Sequence, residues 1–388
     1  MKRRTIGLLR RLIRPPPVAP VPDWTQRPHR ILFLRYDHIG DMILVTGILH
    51  AIKQAQPTLT IDVLASRRNA SVLDGNPDVQ IVYRVTKNRP WTFLVALARI
   101  RRMHYDAVLD SMVTGPSLTS ALIMWASGAR NRIGVAHRGN DFALTVPVPR
   151  IAGATHYVEH SAALLQPFGI TPVPRAAAGG ARGESSLDAM AHRPAGRWPP
   201  RIWLRPEEIA AAEAFWQCGE NSVQTPGGMA PRRRLAVNIS AESPWRQWPE
   251  ERYIAAIQRL RQRFPDLRVL ILGAPVDESR KRTIGAACAV RIDETASARE
   301  MMALVATCDY VLTPDTAVTH VASAFGKPVV ALFAGVGGSH WGPYATAGTV
   351  VATPARSLAS LGVDPVVQAL EALMADELDD TPPAAAGM

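Results

Sequence analysis

Asp41 closes the turn in "RILFLRYDHIGDMILVTGILHAI" (Arg30–Ile52), where an apolar strand passes into an amphipathic helix. Such turns usually present glycines and the unsatisfied N–H groups of a helix start to a phosphate. A carboxylate there would repel one, so an anion has to be seated elsewhere. "VLTPDTAVTHVASAFGKPVVALF" supplies a seat. Asp315 reads as the N-cap of a helix that stops at Gly326, with Pro328 just beyond. The amides from Thr316 and Ala317 onward lack partners inside that helix, and its dipole favours an anion. Thr316 adds a hydroxyl, and His320, about one turn in, can reach a bound oxygen. In "ESPWRQWPEERY", Arg246 stands at a further strand-to-helix turn, where a guanidinium can neutralise a diphosphate. Asp277 or Glu278, in "LGAPVDESRKR", would lie past a strand end, where acids commonly accept from ribose hydroxyls. Taken singly, each has a plainer reading as a helix cap, a core histidine or a surface arginine.

The elements that must position these residues come as two echoing series. In the first half the strands are "RILFLRY", "LTIDVLAS", "VQIVYRV", "YDAVLDSM" and "NRIGV", and the helices "DMILVTGILHAIKQAQ", "WTFLVALARIRRM" and "LTSALIMWASGA". In the second half "RRLAVNIS", "LRVLILGA", "AVRIDET", "DYVLTPD" and "KPVVALFAG" alternate with "PEERYIAAIQRLRQRF", "ASAREMMALVATC" and "TAVTHVASAFG". Strands alternating with helices of this length make βαβ units around a parallel sheet, here twice over. The fold class is therefore α/β, with two Rossmann-like domains facing across a cleft.

The 388-residue length agrees with two domains, and 47% hydrophobic against 20% charged residues is ordinary for a globular chain. The expected division is a basic leader (1–27), an N-terminal domain (28–182), a linker with loops (183–234), a C-terminal domain (235–373) and a disordered tail (374–388). Part of the net charge of +11 sits in "MKRRTIGLLRRLIRPPP", whose cations have no acid among them. That leader reads either as an amphipathic segment on an anionic membrane surface or as disordered chain. No apolar run is long enough to span a bilayer. No zinc-finger, RNP or helix-turn-helix pattern supports nucleic acid as the partner of so basic a chain. Cys218, Cys288 and Cys308 have no metal-ligand spacing and form no even disulfide set, which suits a reducing cytosol.

With these residues in place, the chain resembles glycosyltransferase family 9, the heptosyltransferases of lipopolysaccharide core assembly, from about Arg30 to Leu373. The front carries the family's Arg-x-x-x-x-Gly-Asp opening and a later Asn-Pro in "LDGNPDVQIVYRV"; the back, "PDTAVTHVASAFGKPVVALFAGVGGSHWGP", is similar to its donor segment. The resemblance implies a GT-B fold and inverting transfer from a nucleotide sugar, typically ADP-heptose, with no cofactor or required metal. It implies that Asp41 is the catalytic base and that Asp315, Thr316 and His320 contact donor sugar and diphosphate. Arg246 stands where the family usually has lysine. Ala317 replaces a common glycine, and "NISAES" replaces the usual Pro-Gly after the first strand of the second half.

The implied acceptor is an anionic lipid-linked saccharide, which Arg67, Arg68, Arg132 and Arg138 in the first domain could meet. The leader would then hold the chain at the cytoplasmic face of the inner membrane. The alternatives are transfer of a hexose from a UDP- or GDP-sugar and a non-catalytic sugar- or lipid-binding relative. A nicotinamide enzyme is disfavoured because neither half has a G-x-G-x-x-G turn after its first strand.

Overall fold

Each half builds one sheet of six parallel strands. The computed structural model describes residues 16–115, 117–137, 139–140, 142–172, 198–217, 233–294 and 297–379. The leader through Pro15, most of the segment between the halves, Cys218 and Arg138 lie outside the described residues.

In the first unit β1 (Arg30–Arg35), β2 (Thr60–Ser66), β3 (Ile81–Val85), β4 (Ala107–Asp110), β5 (Asn131–Val135) and β6 (Val146–Val148) lie in the order β3-β2-β1-β4-β5-β6. Helices α1 (Ile39–Ala55), α2 (Pro90–Arg102), α3 (Leu118–Ala126) and the short α4 (Tyr157–Ser161) connect or cover them. β1 forms as a central strand because every residue after Arg30 is buried, so both faces need apolar cover.

The second unit repeats the topology. After α5 (Pro206–Gln217) come β7 (Arg233–Asn238), α6 (Glu250–Arg263), β8 (Leu267–Leu272), α7 (Glu278–Cys288), β9 (Arg291–Ile292), α8 (Ala298–Ala306) and β10 (Tyr310–Pro314). Then follow α9 (Ala317–Ala324), β11 (Val329–Ala334), α10 (Gly338–Trp341), β12 (Gly348–Thr353) and α11 (Asp364–Asp379). Its order, β12-β11-β10-β7-β8-β9, is the first sheet's read from the other end. Both sheets therefore reverse direction between their first and fourth strands, and such switch points are where open α/β sheets bind ligands.

Three expected boundaries are corrected. Residues 16–27 do not stand apart as leader: Trp24 is buried, stacks on Phe168 at 4.9 Å and donates to the Pro167 carbonyl at 2.7 Å. Within the expected linker, Trp198–Trp203 belongs to the first unit and α5 to the second, where Trp216 donates to Thr307 at 3.1 Å. The tail does not begin at 374, since Met374 is fully buried in the second core and α11 runs on. α4, β6, α7, α10, β12 and α11 were not foreseen. β6 is a three-residue edge carrying Pro147, and α7 opens on charged residues that hide its helical stripe.

Gly47 shows how the return segment is fixed. A Cβ there would lie 2.5 Å from the carbonyl oxygens of both Trp198 and Pro199. The neighbouring Thr46 hydroxyl accepts from the Arg201 amide at 2.7 Å. Gly47→Ala should therefore destabilise the first unit by about 1–3 kcal/mol, read as a lower urea midpoint. An unchanged midpoint would mean that the segment does not rest on α1.

Candidate functional site

In the first unit the switch point is organised by a buried cation. Arg35, the last residue of β1, is only 1% exposed. Its Nη2 lies 2.6 Å from Asp41 Oδ1 and its Nε 2.9 Å from Asp37 Oδ1, the latter without hydrogen-bond alignment. Its Nη1 donates to the Ser111 carbonyl at 2.7 Å, just past β4, and also to the Tyr157 hydroxyl. Burial alone would push this guanidinium down, but Tyr157, Asp41 and Asp37 hold it above its usual value. Tyr157 is itself pushed up to about 12, chiefly by burial, and stays a neutral donor. Burial likewise raises the Asp37 carboxyl, against the pull of Arg35.

Asp41 is the third residue of α1, whose N-cap is His38. Its second oxygen lies 3.2 Å from His38 Nδ1, and the side chain keeps 14% exposure. Arg35 fixes one edge of this carboxylate and leaves the other turned toward the exposed imidazole. A carboxylate so held can accept a proton from a hydroxyl brought to it.

Two of the acceptor candidates are brought to the same turn. Arg67 and Arg68 are exposed at the end of β2, next to the fully buried Asn69. Asn69 donates to the Arg35 carbonyl at 3.2 Å and the His38 carbonyl at 3.4 Å, and Ser66 donates to the Asp37 carbonyl at 3.2 Å. Arg132 is placed differently, which corrects its proposed role. It pairs in register with Val108 near the opposite, amino end of the sheet. It is half-buried and its Nε donates to the Ala143 carbonyl at 2.6 Å, so it ties a turn together.

In the second unit Thr316, not Asp315, caps α9: its hydroxyl accepts from the Val318 amide at 3.3 Å. Asn238, the last residue of β7, donates to Thr313 at 3.0 Å and to Thr316 at 3.1 Å, linking β7 to β10 at the switch point. Among the described residues the amides of Thr316 and Ala317 have no protein acceptor. His320 lies buried one turn further in. Released from capping, Asp315 pairs with Arg246 at 3.2 Å; burial raises its carboxyl and Arg246 opposes the rise. The guanidinium also lies 4.6 Å from the Trp245 ring. Arg246, Asp315, Thr316 and Ala317 therefore meet at one strand end.

Asp277 and Glu278 are committed to the protein. Asp277 is buried, accepting from the Ser240 hydroxyl and pairing with Arg280 at 3.3 Å. Glu278 pairs with Lys281 and with Arg282, each at 2.9 Å, and these bonds lower its carboxyl. Arg35, Tyr157, Asn238 and Thr313 had been given no role from the sequence. For Arg35, Asn238 and Thr313 the available signal was polarity at the ends of strands that are otherwise apolar; Tyr157, at the start of α4, had none.

Residues 95–363 match the model of glycosyltransferase family 9 (heptosyltransferase). Lipopolysaccharide heptosyltransferase 3 of Escherichia coli K12 is 23% identical over 323 residues, which is 79% of this chain and 82% of that protein. The glycosyl transferase family 9 structure from Veillonella parvula DSM 2008 superposes with a TM-score of 0.71 at 18% identity, over 90% of this chain and 97% of its own. E. coli ADP-heptose lps heptosyltransferase II gives 0.66 at 20% identity, over 90% and 99%. These likenesses show the two-domain α/β fold of the GT-B type.

Asp110, at the end of β4 beside this cluster, supplies a pH test. It is buried, accepts from the Met112 amide at 3.1 Å, and burial pushes its carboxyl up to about 6. The unfolded value is about 3.9. A folded pKa above the unfolded one means the folded state takes up the proton first, so stability falls as pH rises from about 4 through about 6. Asp110→Asn keeps the acceptor without the charge. It should raise the urea midpoint at about pH 8 and leave it nearly unchanged at about pH 4; equal shifts at both would contradict the buried-charge account.

Proposed function

The chain belongs to glycosyltransferase family 9, and from that premise we propose that it transfers a heptose from ADP-heptose to a lipopolysaccharide inner-core acceptor of the lipid A–Kdo type. Transfer inverts the anomeric centre, and Asp41 is the general base. The observation that carries this reading is the Asp41 carboxylate, pinned on one side by buried Arg35 and only partly exposed at the carboxyl end of a parallel sheet.

Inversion needs a base on the nucleophile and an anion seat for the leaving group, on opposite sides of the anomeric carbon. Asp41 takes the proton of the acceptor hydroxyl, and Arg67 and Arg68 meet acceptor phosphate or carboxylate beside it. Arg246 and the amides at the start of α9 stabilise the departing diphosphate. Asp315 holds Arg246 in place and is available to sugar hydroxyls when the anion draws the guanidinium away. These groups supply the charge compensation, so the reading assigns no cofactor and no required metal.

Among the described residues no helix is long and apolar enough to cross a membrane. We place the protein in the cytoplasm, peripheral on the inner membrane face, with the basic leader drawn to anionic lipid. Transfer of a UDP- or GDP-hexose is the second reading. It is favoured by two departures from the family's usual donor segment, Ala317 in place of a common glycine and "NISAES" in place of Pro-Gly.

Asp41→Asn should lower turnover by about 100- to 10,000-fold while ADP still raises the melting temperature as in the parent. Turnover that survives the substitution would remove Asp41 as the base; a parent that binds ADP but shows no turnover would leave only the binding-relative reading. Titration with ADP, UDP and GDP in the same melting assay separates the donors, since stabilisation by UDP alone would overturn ADP-heptose.

A further inference from the structure

Helices α2 and α3 of the first unit lie side by side on one face of its sheet. Tyr36 packs edge-on against Phe93 of α2 at 5.9 Å, and its hydroxyl reaches Ser120 of α3 at 2.9 Å. At the other end Arg101 donates to the Ala126 carbonyl at 3.1 Å. The inward residues of α2, Ala96 and Ile100 with Phe93 and Leu97 against them, join the sheet core. A surface helix should be polar on its other side. α2 instead carries Trp91, Leu94 and Val95 outward, 59%, 68% and 48% exposed, and α3 adds Leu122 at 56% and Trp125 at 74%.

The charge around this patch has one sign. Lys87, Arg89, Arg99, Arg101 and Arg102 are exposed along the α2 segment, with no acid between Thr86 and Tyr105. None occurs between Ser111 and Arg130 either. Exposed tryptophans with aliphatic neighbours and a cationic surround are suited to the boundary between headgroups and acyl chains of an anionic bilayer. A second copy docking through the same face would set these cations against each other.

We propose that the outer face of α2 and α3 is a membrane-docking surface that seats Trp91 and Trp125 in the interface of an anionic bilayer. It acts separately from the basic leader and does not depend on which sugar is transferred. The full chain should co-sediment with vesicles of phosphatidylcholine doped with phosphatidylglycerol. It should bind pure phosphatidylcholine more weakly, and added salt should weaken the anionic binding.

Trp91→Ser combined with Trp125→Ser should lower partitioning by about tenfold or more with the melting temperature unchanged, because both side chains are exposed. Val336→Ser removes an apolar side chain that is 98% exposed on the second unit, and should change nothing. Arg99→Gln with Arg102→Gln should weaken binding to the anionic vesicles only. Parental binding by the double tryptophan variant would overturn the proposal and leave the leader as the contact. A parent that sediments as a dimer, broken by that variant with vesicle binding intact, would equally overturn it in favour of self-association.

Discussion

A guanidinium shut away from water at the end of the first strand is the constraint on which the first unit of this molecule depends. A buried charge is tolerated only when opposite charge and hydrogen bonds replace the lost solvent. Arg35 obtains both from four groups that arrive on three different segments: Asp37 and Asp41, the Ser111 carbonyl, and Tyr157. To satisfy it, the turn after β1 must place two carboxylates inward, the β4 end must turn a carbonyl toward it, and α4 must deliver a phenol. The position of Asp41 is thus over-determined by the need to neutralise Arg35.

The second unit solves the same topological problem with neutral groups. Asn238 and Thr313, at the ends of β7 and β10, form an uncharged bridge to Thr316. This leaves the helix start with its partial positive charge intact, while the Arg246–Asp315 pair beside it sums to zero. In the first unit one buried arginine faces two carboxylates, so that inner cluster, inside the exposed Arg67 and Arg68, carries net negative charge. One sheet topology, used twice, therefore presents strand ends of opposite electrostatic character, one suited to taking a proton and the other to receiving an anion.

What could be read from the sequence follows from which interactions are local. The central strands of both sheets are continuous apolar runs and α6 carries one-sided apolar spacing, so hydrophobic periodicity exposes them; α1, expected to be amphipathic, is instead buried on all sides from Met42 to Leu49. β12, an edge strand with half-buried residues, lacks that signal, as does β6. At the sites, Asp41 and Thr316 were legible because each sits at a strand-to-helix turn. Arg35 was not, because an arginine in a sequence looks like surface, and its burial depends on Tyr157, distant in the chain. Arg132 misled for the same reason in reverse: only the register with β4 shows which end of the sheet it occupies.

The exchange of roles between Asp315 and Thr316 shows how small a local difference decides a site. Had Asp315 capped α9, its carboxylate would have covered the amides that an anion needs, and Arg246 would have lost its partner. A threonine cap satisfies the Val318 amide with a neutral oxygen and leaves the acid to hold the guanidinium. A neutral cap costs the helix little, since serine, threonine and aspartate stabilise a helix start by similar amounts. The choice of residue at that position therefore governs the local charge far more than the stability of the helix, and it leaves the amides of Thr316 and Ala317 uncovered.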